Sequence, residues 1–118
     1  MKEIKTLEFK EDILYLIDQR KLPIEYEIFE CKTYKEVDFA IQDMVVRGAP
    51  AIGAAAAYGV VLAAKEFISD NKKIFLEKMD KALNELNQSR PTAVNLMWAI
   101  NRMRDLIENV KDSIHNKF

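Results

Sequence analysis

Val45-Val46-Arg47-Gly48-Ala49-Pro50-Ala51-Ile52-Gly53-Ala54-Ala55-Ala56-Ala57-Tyr58-Gly59 is the stretch whose reading decides the fold. All three glycines of the chain fall within twelve residues of it. Proline suits the first position of a helix, where its missing N–H would have had no partner. Pro50 is therefore expected to open a helix that runs to about Ile68. Gly53 with Ala57, and Ala55 with Gly59, stand four apart and share helix faces, so neighbouring elements can come very close. The start of such a helix also exposes unpaired N–H groups and the positive end of the dipole. Gly48 opens the backbone to an anion, and Arg47 offers a bidentate fork. Two compatible readings stand here: a phosphate site, and a helix–turn–helix corner that only packs closely.

Working outward toward the N-terminus, Thr33-Tyr34-Lys35-Glu36 has the form of a capping box. Tyr34, Val37, Ile41, Met44 and Val45 then make a helical apolar stripe. Before it the period is that of strands. Ile4 to Phe9 is a short candidate with Leu7 and Phe9 on one face, and Lys10-Glu11-Asp12 is a polar turn. Ile13 to Ile17 is a continuous apolar run of strand length. Ile24-Glu25-Tyr26-Glu27-Ile28 alternates as a half-buried strand does. The expectation is a small antiparallel three-stranded sheet over about residues 4–31.

Toward the C-terminus, Ser69-Asp70-Asn71 is a polar break, and Phe75, Met79, Leu83 and Leu86 mark another amphipathic helix. Asn87 to Thr92 breaks again, with Pro91 at a helix start. Leu96, Ile100, Met103, Ile107 and Val110 carry the last helix before a polar tail, Ser113 to Lys117. The helical part covers about residues 33–113, with four helices. The fold class is α+β, in a single domain over residues 1–118.

Ser89-Arg90-Pro91-Thr92 repeats the grammar of the first stretch: an arginine, a proline, then a helix. Arg90 and Arg47 could converge on one phosphate; equally, Arg90 could be a solvated loop residue and Pro91 a plain helix initiator. Asp18-Gln19-Arg20-Lys21-Leu22-Pro23 could line a site or simply be a charged turn.

Charge excludes some classes. Lys and Arg total 18 against 19 Asp and Glu, so there is no broad pull toward nucleic acid or anionic membrane. No uncharged apolar run is long enough to span a bilayer, and the start lacks a signal-peptide core. The single cysteine, Cys31, rules out an internal disulfide. It reads as a buried or edge residue rather than a nucleophile, because the only histidine is His115. Trp98 and the methionines read as core. No metal site, catalytic pair or cofactor site is expected, and a reducing cytoplasm is the default.

Three segments together resemble the N-terminal domain of methylthioribose-1-phosphate isomerases: Leu16 to Pro23, Met44 to Gly59, and Ser89 to Ala99. They span most of the chain, in the family's order. The Arg-Gly-Ala-Pro-Ala-Ile-Gly core is shared with ribose-1,5-bisphosphate isomerases and with regulatory subunits of a translation-initiation exchange factor. The Arg-Pro-Thr-Ala-Val-Asn-Leu segment and the Asp-Gln-x-x-Leu-Pro turn point more narrowly to the methylthioribose-1-phosphate enzymes. The resemblance implies an aldose–ketose isomerisation in methionine salvage, with no cofactor. It implies substrate contacts from Arg47, Gly48, Ala49 and Arg90. It also implies that the catalytic cysteine and aspartate lie in a Rossmann-like C-terminal domain beyond Phe118, since Cys31 does not match that cysteine's motif. The chain alone is then expected to be inactive. Its expected partners are a sugar-phosphate substrate, that further domain and a second copy in a homodimer, with no nucleic acid and no membrane. A related isomerase, acting on 5-deoxyribose 1-phosphate or ribose 1,5-bisphosphate, and a non-catalytic regulatory domain remain the alternatives.

Overall fold

The computed structural model describes residues 7–90 and 93–117, the last ten of them as helical backbone. Strands β1 (Leu7–Lys10), β2 (Ile13–Ile17) and β3 (Ile28–Cys31) form an antiparallel sheet in the order β1-β2-β3. Helices α1 (Tyr34–Gln42), α2 (Ala49–Phe67), α3 (Lys72–Asn87) and α4 (Val94–Lys117) follow. The α+β class read from the sequence is the observed one. Ile4 to Thr6 of the expected first strand, and Pro91 at the expected helix start, lie outside the described residues.

Glu11 and Asp12 turn the first hairpin with φ of 54° and 64°. Two positive φ values in a two-residue loop give the twist that antiparallel strands require. Leu14 and Leu16 of β2 pair with Phe9 and Leu7 on one side and with Cys31 and Phe29 on the other. Side chains alternate along a strand, so these six share the face that packs on the helices.

The third strand differs from expectation. It occupies Ile28–Cys31, whereas Ile24 is 92% exposed and Tyr26 57% exposed. The buried face of β2 needs partners in phase with Leu14 and Leu16, which Phe29 and Cys31 supply. Ile24, Tyr26 and Ile28 are out of phase by one residue, and a shift of one turns every side chain to the other face.

α1 begins with the capping box. Thr33 Oγ1 accepts from Glu36 N, and Glu36 Oε1 accepts from Thr33 N at 3.1 Å. The helix stops earlier than its apolar stripe. Met44 takes φ 63°, with Val45 N donating to Ala40 O at 2.9 Å and Met44 N to Ile41 O at 3.4 Å. These two bonds close a Schellman motif, in which glycine is the usual left-handed residue. Methionine there costs about 1 kcal/mol.

α2 is the central helix. Its first residue is Ala49, with Pro50 second, because Gly48 with φ 94° is the N-cap. The small residues do what their spacing foretold. A Cβ on Gly59 would stand 3.0 Å from Val37 Cγ1 and 3.4 Å from Leu86 Cδ1, so α1 and α3 meet α2 at this point. Tyr58 stacks on Phe9 at 4.8 Å, joining α2 to the sheet. On another face, Gly53 lies against Asn95 and Ala99. Further along, Val60, Val61 and Ala64 share a groove with Met103 and Ile107. Residue numbers rise together on the two helices, so α2 and α4 run parallel.

Candidate functional site

Parallel packing brings two helix N-termini to one end of the molecule. Gly53 is four residues into α2, and Asn95, which it faces, is one residue into α4. At 1.5 Å per residue the two starts are offset by about 4.5 Å, less than one turn. The positive ends of both dipoles therefore point the same way, side by side. No side chain caps α2, and its first turn contains no acid. Gly48, Ala49 and Pro50 are all exposed. The start of α2 presents bare N–H groups to solvent, the arrangement that receives an anion.

Each of these helices is preceded by an arginine. Arg47 is exposed and immediately precedes the Gly48 cap; Arg90 is half-buried and precedes α4. The other three arginines are engaged: Arg20 with Asp18 and Asp43, Arg104 with Asp80, and Arg102 over the Trp98 ring. Among the described residues Arg47 and Arg90 have no carboxylate or ring partner. A groove of about 380 Å³ begins beside this end, lined by Pro50, Gly53 and Ala57 of α2 and Asn95, Trp98 and Arg102 of α4. Trp98, expected in the core, is 64% exposed. It is exposed because Leu96, Ile100 and Met103 form the inward stripe of α4 and Trp98 falls off it.

The turn after β2 acts as a buttress. Asp18 is 3% exposed. Arg20 donates to it from Nε at 2.9 Å, from Nη2 at 2.7 Å and from its backbone N–H at 3.0 Å. Those bonds hold the Asp18 carboxyl below the ordinary carboxylate range, against the opposing effect of burial. Arg20 Nη1 reaches Asp43, the C-cap of α1, at 2.5 Å, and Gln19 N donates to Val45 O at 2.9 Å. The turn thus grips the segment that delivers Arg47. An acid two residues before an arginine, just after a strand, was the available signal.

A second anchor lies before Arg90. Ser89 is buried, and its Oγ donates to Asp38 Oδ1 of α1. Residue spacing gave no hint of this contact, which joins positions 51 apart. Cys31 is wholly buried in the core, and burial pushes its thiol up to about 12. It is a packing residue with no thiolate character. Among the described residues no group of three His, Cys, Asp or Glu side chains is placed to hold a metal ion, and no helix is long and apolar enough to cross a membrane.

Residues 45–117 match the Initiation factor 2 subunit family, and the chain belongs to it. Within that family its relatives include a methylthioribose-1-phosphate isomerase from Caldanaerobacter subterraneus subsp. tengcongensis, 70% identical over 112 residues. That match covers 95% of this chain and 32% of the relative. The chain spans about a third of the length of the curated relatives it matches. The solved 5-methylthioribose 1-phosphate isomerase from Pyrococcus horikoshii OT3 superposes with a TM-score of 0.87 at 45% identity, over 92% of this chain and 30% of that one. The delta subunit of translation initiation factor eIF-2B from A. fulgidus superposes with a TM-score of 0.78 at 42% identity, over 85% and 29%. The resemblance read from the three sequence segments is borne out.

Proposed function

We propose that this chain carries the phosphate-gripping part of a methylthioribose-1-phosphate isomerase, which converts 5-methylthioribose 1-phosphate to 5-methylthioribulose 1-phosphate. The observation that supports it is the pair of arginines, Arg47 and Arg90, whose side chains have no carboxylate or ring partner among the described residues, each preceding one of two parallel helices whose N-termini share one end. Arg47, Gly48, Ala49 and Arg90 bind the phosphate dianion through guanidinium forks and backbone N–H groups. Isomerisation moves a hydrogen between C1 and C2 and needs a positioned acid–base group. Cys31 is buried and Asp18 is occupied by Arg20, so this chain grips substrate while residues of a further Rossmann-like domain move the hydrogen. The same reading places the activity in methionine salvage, in the cytoplasm, in a homodimer.

In the intact protein, 5-methylthioribose 1-phosphate is expected to raise the melting temperature. Arg47→Ala and Arg90→Ala each weaken its binding about 10- to 100-fold, the loss expected of a charge-assisted hydrogen bond. The 118-residue chain alone is expected to show no turnover, and measurable isomerase activity from it would refute the assignment of roles. The similarity to the initiation-factor delta subunit favours a second reading, a regulatory domain without chemistry. A melting temperature that sugar phosphate does not move would favour that one.

A further inference from the structure

We infer that Asp38, acting through Ser89, is a positioning residue for Arg90, so that helix α1 sets the spacing of the two arginines. This rests on the phosphate reading above.

Ser89 directly precedes Arg90 and is 7% exposed. Its Oγ donates to Oδ1 of Asp38, and weakly to Glu85 O at 3.5 Å. The same carboxylate oxygen accepts from Gln42 Nε2 at 2.9 Å, which ties Asp38 to the end of its own helix. On the far side of Arg90 its carbonyl accepts from Ala93 N at 2.9 Å. Arg90 is therefore held between a side-chain latch and a backbone turn.

α3 does not need this latch in order to end. Gln88 N donates to Asn84 O at 3.1 Å and Ser89 N to Leu86 O at 3.1 Å, so the helix terminus is satisfied by backbone alone. What the latch adds is direction: it ties the loop that carries Arg90 to the middle of α1. The other arginine hangs from the same helix. Asp43, the C-cap of α1, is gripped by Arg20, and Val45, two residues before Arg47, bonds to Ala40 N-terminal to it and to Gln19. One nine-residue helix thus braces both arginine-bearing segments. A hydroxyl bonded to an ionised acceptor makes a strong, directional brace, and a guanidinium displaced by about 1 Å loses much of its hold on a bound group.

The test is steady-state kinetics of the intact protein with 5-methylthioribose 1-phosphate. Asp38→Ala and Ser89→Ala are each expected to raise KM about tenfold with kcat nearly unchanged. Asp38→Asn retains an acceptor oxygen and restores KM to within about twofold. In an Arg90→Ala background, Ser89→Ala raises KM no further, because it acts through Arg90. A merely structural role would lower the yield of active protein and leave KM alone. If Arg90→Ala raises KM while Ser89→Ala and Asp38→Ala do not, the positioning role is overturned and the phosphate site stands. If Arg90→Ala itself leaves KM unchanged, both fall. Should Asp38→Ala fail to fold, Ser89→Ala decides the question alone.

Discussion

Asp18 is a buried carboxylate made tolerable by an arginine two residues away that binds both its oxygens. An isolated charge there would be strongly destabilising, and the fork compensates. Because Arg20 lowers the folded-state pKa, the ionised form belongs to the folded protein. Its stabilisation is complete above about pH 4, the unfolded value, and disappears as pH falls through the lower folded value. Thermal melts at descending pH are expected to show a loss of stability below about pH 4, and Asp18→Asn flattens that acid slope while lowering stability near neutrality by about 2 kcal/mol. The residue types of this turn were legible, and so was its charged character. Its grip on Asp43 and Val45 was not, because those partners lie more than twenty residues away.

The elements were legible wherever local rules suffice. The capping box of α1, the Asn71 cap that accepts from Ile74 N at 3.0 Å, and the inward stripe of α3 need only neighbours in sequence. Expectation failed at β3 and at the end of α1, where partner strands and a left-handed Met44 decide. The glycines of α2 provide the sharpest test at this scale. Gly59→Ala places a methyl 3.0 Å from the rigid, fully buried Val37. Overpacking costs about 1–3 kcal/mol, while the helix regains up to about 1 kcal/mol of propensity. A net loss near 1 kcal/mol is expected, read as a fall in melting temperature of about 4 °C. Gly53→Ala meets nothing closer than Asn95 O at 3.4 Å, so it is expected to leave stability unchanged or slightly raised in the same melts.

For the molecule as a whole, the decisive fact is the parallel course of α2 and α4, which puts the positive ends of two helix dipoles side by side, each helix preceded in sequence by an arginine. Phosphate binding to such a pole depends on screening and on the charge of the ligand. Titrations of sugar phosphate are expected to weaken with added salt, and to strengthen as pH rises through about 6, where the phosphate becomes a dianion. Arg47→Ala flattens the salt dependence. By itself the sequence determined the α+β class, the capping box of α1 and the small-residue faces of α2, since each is written in composition, period or a local motif. Only the tertiary structure decided that α2 and α4 run parallel, that Trp98 is outside the core, that β3 pairs through Phe29 and Cys31, and that Ser89 and Arg20 bond to Asp38 and Asp43 of α1 and its C-cap. The reason is physical: periodicity reports which face of an element is buried, whereas direction, register and long-range hydrogen bonds depend on which other element it is buried against.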